Sequence, residues 1–113
     1  MDCVFCAIAR GELPTKLVYE TPDVVAFEDL NPQAPTHILI IPRRHYASLQ
    51  DVPAAEIGIL PALVAAAQEL AVERRIWPEG YRLVVNTGPA GGQTVPHLHL
   101  HLLGGRQVVW PPG

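Results

Sequence analysis

The sequence predicts an α+β domain: a sheet of short strands, one main helix and a short helix at the N-terminus. Three stretches carry that reading. Residues 96–105 run Pro-His-Leu-His-Leu-His-Leu-Leu-Gly-Gly, and strict alternation of two residue classes is the period of a half-buried strand. His37-Ile38-Leu39-Ile40-Ile41 is an apolar run between Pro35 and Pro42, the pattern of a central, buried strand. Leu60, Leu63, Val64, Ala67, Leu70 and Ala71 recur at intervals of three and four, which is one face of a helix.

Size and composition set the frame. A chain of 113 residues, 49% apolar and 17% charged, suits one globular domain over residues 1–113. No apolar run approaches a membrane span, and no basic start precedes an apolar stretch. The expectation is a cytoplasmic protein with no membrane partner. Net charge is −3, with seven Arg and one Lys, which argues against a nucleic-acid duplex as partner but not against a small nucleotide.

The chain opens on Cys3-Val4-Phe5-Cys6. In a cytoplasmic protein this spacing reads as metal binding or redox chemistry before a structural disulfide. A redox pair of the thioredoxin type follows a strand, and here only two residues precede it. Zinc needs two further ligands, which later histidines can supply; burial as small apolar residues is the plainer alternative. Residues 3–10 form a short helix closed by Gly11.

Leu17–Glu20 and Val24–Glu28 read as two strands joined by Thr21-Pro22-Asp23. Asp29 ends the second strand beside the rigid loop Asn31-Pro32-Gln33-Ala34-Pro35. A carboxylate there suits sugar hydroxyls, or it caps a turn. Arg43 and Arg44, after the central strand, read as a solvated surface pair. Asp51 is a candidate N-cap with Pro53 in the following turn. The helix is expected over about 61–75, with a kink or restart at Pro61. Its alanines at 62, 65, 66 and 67 would admit close approach of another helix, from a second subunit among other sources.

Tyr81–Asn86 is a further strand, and Gly88–Thr94 a loop rich in residues that let backbone N–H groups face an anion. It runs into the histidine strand. There His97, His99 and His101 would share one face at spacings of about 7 Å, with Leu98, Leu100 and Leu102 on the other. Such a row suits a phosphate gripped and attacked by imidazoles better than a metal bound by all three. A polar face meeting water is the bland alternative. Trp110, in the tail, is expected to pack on its own subunit or on a neighbour.

The assembled motifs resemble the histidine triad (HIT) superfamily. The triad itself is His97-Leu98-His99-Leu100-His101-Leu102-Leu103. Around it stand D-L-N-P-Q-A-P-T-H from Asp29, I-P-R-R-H from Ile41, G-G-Q-T-V from Gly91 and the closing W-P-P-G. The tail points to the Hint branch, purine nucleoside phosphoramidases, and the likeness runs from about Cys3 to Gly113.

The resemblance implies an antiparallel meander with one main helix, and a homodimer with one larger sheet. It makes His99 the nucleophile, flanked by His97, His101 and His37. It places Asp29 on the ribose, Phe27 and Leu30 near the base, and Asn86, Gly92, Gln93 and Thr94 at the phosphate. It also implies structural zinc on Cys3, Cys6, His45 and His97.

The expected reaction is attack by His99 on the α-phosphorus of an AMP- or GMP-type phosphoramidate. The amine leaves with a proton from Thr94 or a histidine, and water cleaves the nucleotidyl-histidine. This route needs no cofactor. Two other readings compete: a dinucleoside polyphosphate hydrolase or nucleotidyl transferase of the same superfamily, and a non-catalytic, zinc-stabilised nucleotide-binding module.

Overall fold

A computed structural model describes residues 3–113. The elements are α1 (Val4–Ala9), β1 (Leu17–Glu20), β2 (Val24–Glu28), β3 (Thr36–Pro42), α2 (Ile59–Glu73), β4 (Tyr81–Val84) and β5 (Leu100–Gly104). All five strands form one antiparallel sheet in the order β1-β2-β3-β5-β4. The first three make a meander, and β5 then inserts between β3 and β4. This insertion sets Leu39 opposite His101 and His37 opposite Leu103.

Alternation along the strands divides the core in two. Val24, Ala26, Ile38, Ile40, Leu98, Leu100 and Leu102 meet Leu63, Ala66, Ala67, Leu70 and Ala71 of α2. Val25, Phe27, Leu39 and Ile41 face the other way, onto Phe5 and Ile8 of α1. The sheet is therefore covered on both faces, which is why β3 is apolar almost throughout.

Several expectations change. The histidine strand begins at Leu100 rather than His97: the Leu98 N–H bonds to the Tyr46 carbonyl at 2.7 Å instead of joining a ladder. β4 ends at Val84. Asp51 is not a helix cap; it closes a 3₁₀ turn, Leu49–Asp51, that Ser48 caps. Pro61 causes no restart, because α2 begins at Ile59 and Pro61 falls in its first turn, where an N–H would lack an intrahelical acceptor. Ala66 and Ala67 pack on the chain's own sheet. Arg43 is only partly solvated: it donates to the carbonyls of Thr21 (2.8 Å) and Ala9 (2.7 Å) and pairs with Glu20, pinning α1 to the sheet.

One segment, Ala54–Glu73, is long and apolar enough to span a membrane by length and composition alone. Its α-helical part is only 15 residues, and five of those residues are buried. Trp110 is 82% exposed, so it does not pack on its own subunit.

Candidate active site and metal centre

On the α1 face of the sheet, Val4, Phe5, Ile8, Phe27, Asp29, Leu30, Leu39, Thr94, His99 and His101 surround a cavity of about 310 Å³. Phe5 stands edge-on to Phe27, with ring centroids 5.4 Å apart, and edge-on to His99 at 5.3 Å. The apolar wall from α1 is the part that motif reading missed. Positions 4, 5 and 8 share one side of a helix, and that periodicity was the available signal; a six-residue helix shows it too briefly to stand out.

The histidines do not stand in an evenly spaced row. The rings of His99 and His101 lean together, with centroids 5.0 Å apart. His97 turns away from the cavity, and His37 sits behind His101. Their hydrogen bonds fix where each ring proton lies. The Gln33 N–H donates to His37 Nδ1 at 3.0 Å, so the neutral ring carries its proton on Nε2. His37 Nε2 lies 2.9 Å from His101 Nδ1 and 3.4 Å from Asp29 Oδ2. With Nδ1 accepting, His101 carries its own proton on Nε2. That atom is buried without a partner, the one such side-chain atom among the described residues. His99 Nδ1 donates to the His97 carbonyl at 2.7 Å, which leaves Nε2 of His99 with a free lone pair.

Burial favours the neutral form of His37 and His101. It pushes His37 below the ordinary histidine value, with Asp29 opposing. It carries His101 down to about 4, helped by His99 and His37 and opposed by Asp29. A buried neutral imidazole with its proton held at a known nitrogen can donate or attack without first losing charge.

Asp29, His37 and His101 also bring three potential metal ligands together. They do not fit a cation, because the Gln33 N–H forces the His37 proton onto the nitrogen that would have to ligate.

The remaining predicted residues divide. Thr94 lines the cavity, and it also borders an open groove of about 540 Å³ with Ser48, Asp51, Gly88 and Gln93. The Gln93 side chain is engaged within the protein. It donates to the carbonyls of Ala47 (2.7 Å) and Val95 (2.9 Å) and accepts from the Gly88 N–H (3.0 Å). It therefore braces the glycine loop. Asn86 stands behind that loop, its side chain next to Gly92. Asp29 does two things: Oδ1 accepts from the Asn31 N–H at 2.8 Å, and Oδ2 faces His37.

Cys3, Cys6, His45 and His97 converge with their ligand atoms within 4.8 Å of one another. His97 Nδ1 is 3.3 Å from Cys3 Sγ, 3.5 Å from Cys6 Sγ and 3.2 Å from His45 Nδ1; Cys6 Sγ is 3.3 Å from His45 Nδ1. These match the edges, about 3.3–3.8 Å, of a tetrahedron with bonds of about 2.0–2.3 Å. His97 Nε2 donates to the Pro42 carbonyl at 3.0 Å, which turns the lone pair of Nδ1 toward the other three ligands. Two thiols and two imidazoles in this arrangement fit zinc.

Comparison with known proteins agrees with this geometry. The HIT domain family model matches residues 10–108. The purine nucleoside phosphoramidase of Escherichia coli is 45% identical over 107 residues, covering 95% of this chain and 90% of that protein. The 14 kDa zinc-binding protein of Zea mays is 47% identical, covering 97% and 87%. A crystal structure of a HIT family hydrolase from Legionella pneumophila superposes with a TM-score of 0.96 at 49% identity, covering 99% of this chain and all of that one. The chain belongs to the HIT domain family.

Proposed function

We propose that the protein hydrolyses purine nucleoside 5′-phosphoramidates to the nucleoside monophosphate and an amine. One observation carries this reading: the free Nε2 of His99 and the unpartnered Nε2–H of His101 belong to adjacent rings of one cavity. A nucleophile and an oxyanion donor are thus held next to each other.

The base lies between Phe5, Ile8, Phe27 and Leu39, beside Leu30, and Asp29 accepts from the ribose. The lone pair of His99 attacks the α-phosphorus while the P–N bond breaks. The amine takes a proton from Thr94 or a neighbouring imidazole. His101 and the Gly92–Thr94 loop, with Asn86 behind it, stabilise the phosphoryl oxygens. Water then cleaves the phosphorus–His99 bond, and His99 returns to its starting tautomer. Zinc on Cys3, Cys6, His45 and His97 is structural and takes no part in these steps.

The working form is a homodimer in the cytoplasm. Supporting this, β4 is an edge strand, Val72 and Trp77 are exposed beside its Tyr81, and Val64, Val85, Val109 and Trp110 are exposed as well.

The decisive experiment is turnover of an adenosine 5′-phosphoramidate by the wild type and His99→Ala at equal zinc content. AMP release by the wild type, falling by more than about 10³-fold in the variant, is the expected result. If neither protein turns over while both bind AMP, the enzyme reading is wrong and a binding module remains.

A further inference from the structure

The metal centre and the cavity share more than a neighbourhood. His97 presents its ring to Cys3, Cys6 and His45, and its backbone carbonyl to His99 Nδ1. The same residue is thus a candidate ligand and the group that sets the tautomer of the nucleophile. Residues 97–99 lie outside the β5 ladder. Beside a local bond from the His97 N–H to the Val95 carbonyl, two hydrogen bonds tie them to a neighbouring segment, His97 Nε2 to the Pro42 carbonyl and Leu98 N–H to the Tyr46 carbonyl. Both acceptors belong to the segment that carries His45.

A second connection runs through α1. Phe5 sits between the two cysteines, edge-on to His99 at 5.3 Å and to His97 at 5.9 Å. With Val4 and Ile8 it walls the cavity. Three separate segments, 3–6, 42–46 and 97–99, therefore meet at the four ligands. Without a cation, the Nδ1 lone pair of His97 faces two sulfur atoms and another imidazole nitrogen at 3.2–3.5 Å. Without the cation a weak S–H donor from Cys3 or Cys6 can meet that lone pair, a softer restraint on the ring than a metal bond.

We infer that the Cys3–Cys6–His45–His97 centre is a positioning device for the nucleophile. It acts through the His97 carbonyl on the His99 tautomer, and through Phe5 on the wall of the cavity. It rests on the proposed function only for its kinetic consequence. Metal release should leave the sheet and α2 intact, free the 97–99 segment, and let the His99 proton exchange between its two nitrogens.

The test compares the zinc-loaded protein, the same protein stripped by a chelator, and the stripped protein reloaded with Zn²⁺. The direct readout is the pair of ¹⁵N shifts of the His99 imidazole, with far-UV circular dichroism as the control for fold. Loaded protein is expected to show a single Nδ1–H tautomer. Stripped protein should show shifts averaged between tautomers and an unchanged circular dichroism spectrum. With an adenosine phosphoramidate, kcat should fall about 10- to 100-fold on stripping and recover on reloading. Phe5→Leu, which keeps the ligands, should raise KM with the His99 shifts unmoved.

Identical His99 shifts with and without zinc would overturn the inference. So would loss of the folded spectrum on stripping, because the centre would then hold the whole fold. If the shifts respond to zinc but no phosphoramidate is turned over, the positioning role stands and the substrate assignment falls.

Discussion

His37 Nε2 lies 2.9 Å from His101 Nδ1, across 64 positions of sequence. The bond joins neighbouring strands, and it decides which nitrogen of His101 is left to meet a ligand. His37 does not line the cavity; it acts on it through His101 and through Asp29, whose Oδ2 lies 3.4 Å away.

Replacing His37 with Ala should therefore disable the site without touching the substrate. His101 Nδ1 and the Gln33 N–H would both lose their partner, at a cost of about 1–3 kcal/mol. If that cost falls on the transition state, kcat drops about 5- to 150-fold with KM little changed. Steady-state kinetics with an adenosine phosphoramidate would show it, and equal falls in affinity for AMP and in kcat/KM would contradict it.

The depressed histidines make stability depend on pH in one direction. The folded His101 titrates at about 4 against an ordinary value of 6.5, and His37 is also shifted down. Between those values the unfolded chain binds more protons than the folded one, so stability rises with pH across the window. It is greatest above pH 6.5 and is lost progressively as the pH falls toward 4. Urea midpoints measured from pH 4 to 7.5 should follow this slope, and His101→Gln should flatten it.

Gln93 makes three hydrogen bonds that fasten the glycine loop to Ala47 and Val95. Gln93→Ala should cost about 2–3 kcal/mol in unfolding experiments, at roughly 1 kcal/mol per bond. Thr94, the next residue, would lose its fixed position, so kcat/KM should also fall. Gln93→Glu retains the acceptor for Gly88 and should be intermediate in stability.

Gly104 ends β5 against Ile76. A Cβ on Gly104 would lie 2.7–2.9 Å from three carbons of that side chain, too close for a packed core. Gly104→Ala should destabilise by about 1–3 kcal/mol. Ile76→Ala removes two of the three carbons, so the double variant should cost less than the two single costs added together. Strict additivity in a double-mutant cycle would refute the contact.

The sequence made the faces of the elements legible better than their ends. Leu98, Leu100 and Leu102 are 1%, 3% and 0% exposed, as period-two alternation requires, and the α2 stripe lies on the sheet. Alternation cannot report which hydrogen bonds a segment makes. Residues 97–99 keep the alternating directions of a strand while their polar groups go to Tyr46, Pro42 and the cluster of Cys3, Cys6 and His45. The convergence of Cys3, Cys6, His45 and His97 was available only through the family resemblance, because no spacing rule links residues 94 apart. The place of Arg43 was hidden for a similar reason. Two of its three acceptors are backbone carbonyls, which a sequence does not display.

The insertion of β5 between β3 and β4 has a consequence in time. The bond that orients His101 in the cavity's polar wall joins residues 64 positions apart. Such closures are entropically slow and come late, after local hairpins and the helix have formed. On the ribosome, β1, β2 and β3 emerge as an incomplete sheet whose open edge waits for β5. A nascent chain therefore carries the apolar wall of the cavity from residues 4–39 but lacks its histidine wall until residues 99–101 have emerged.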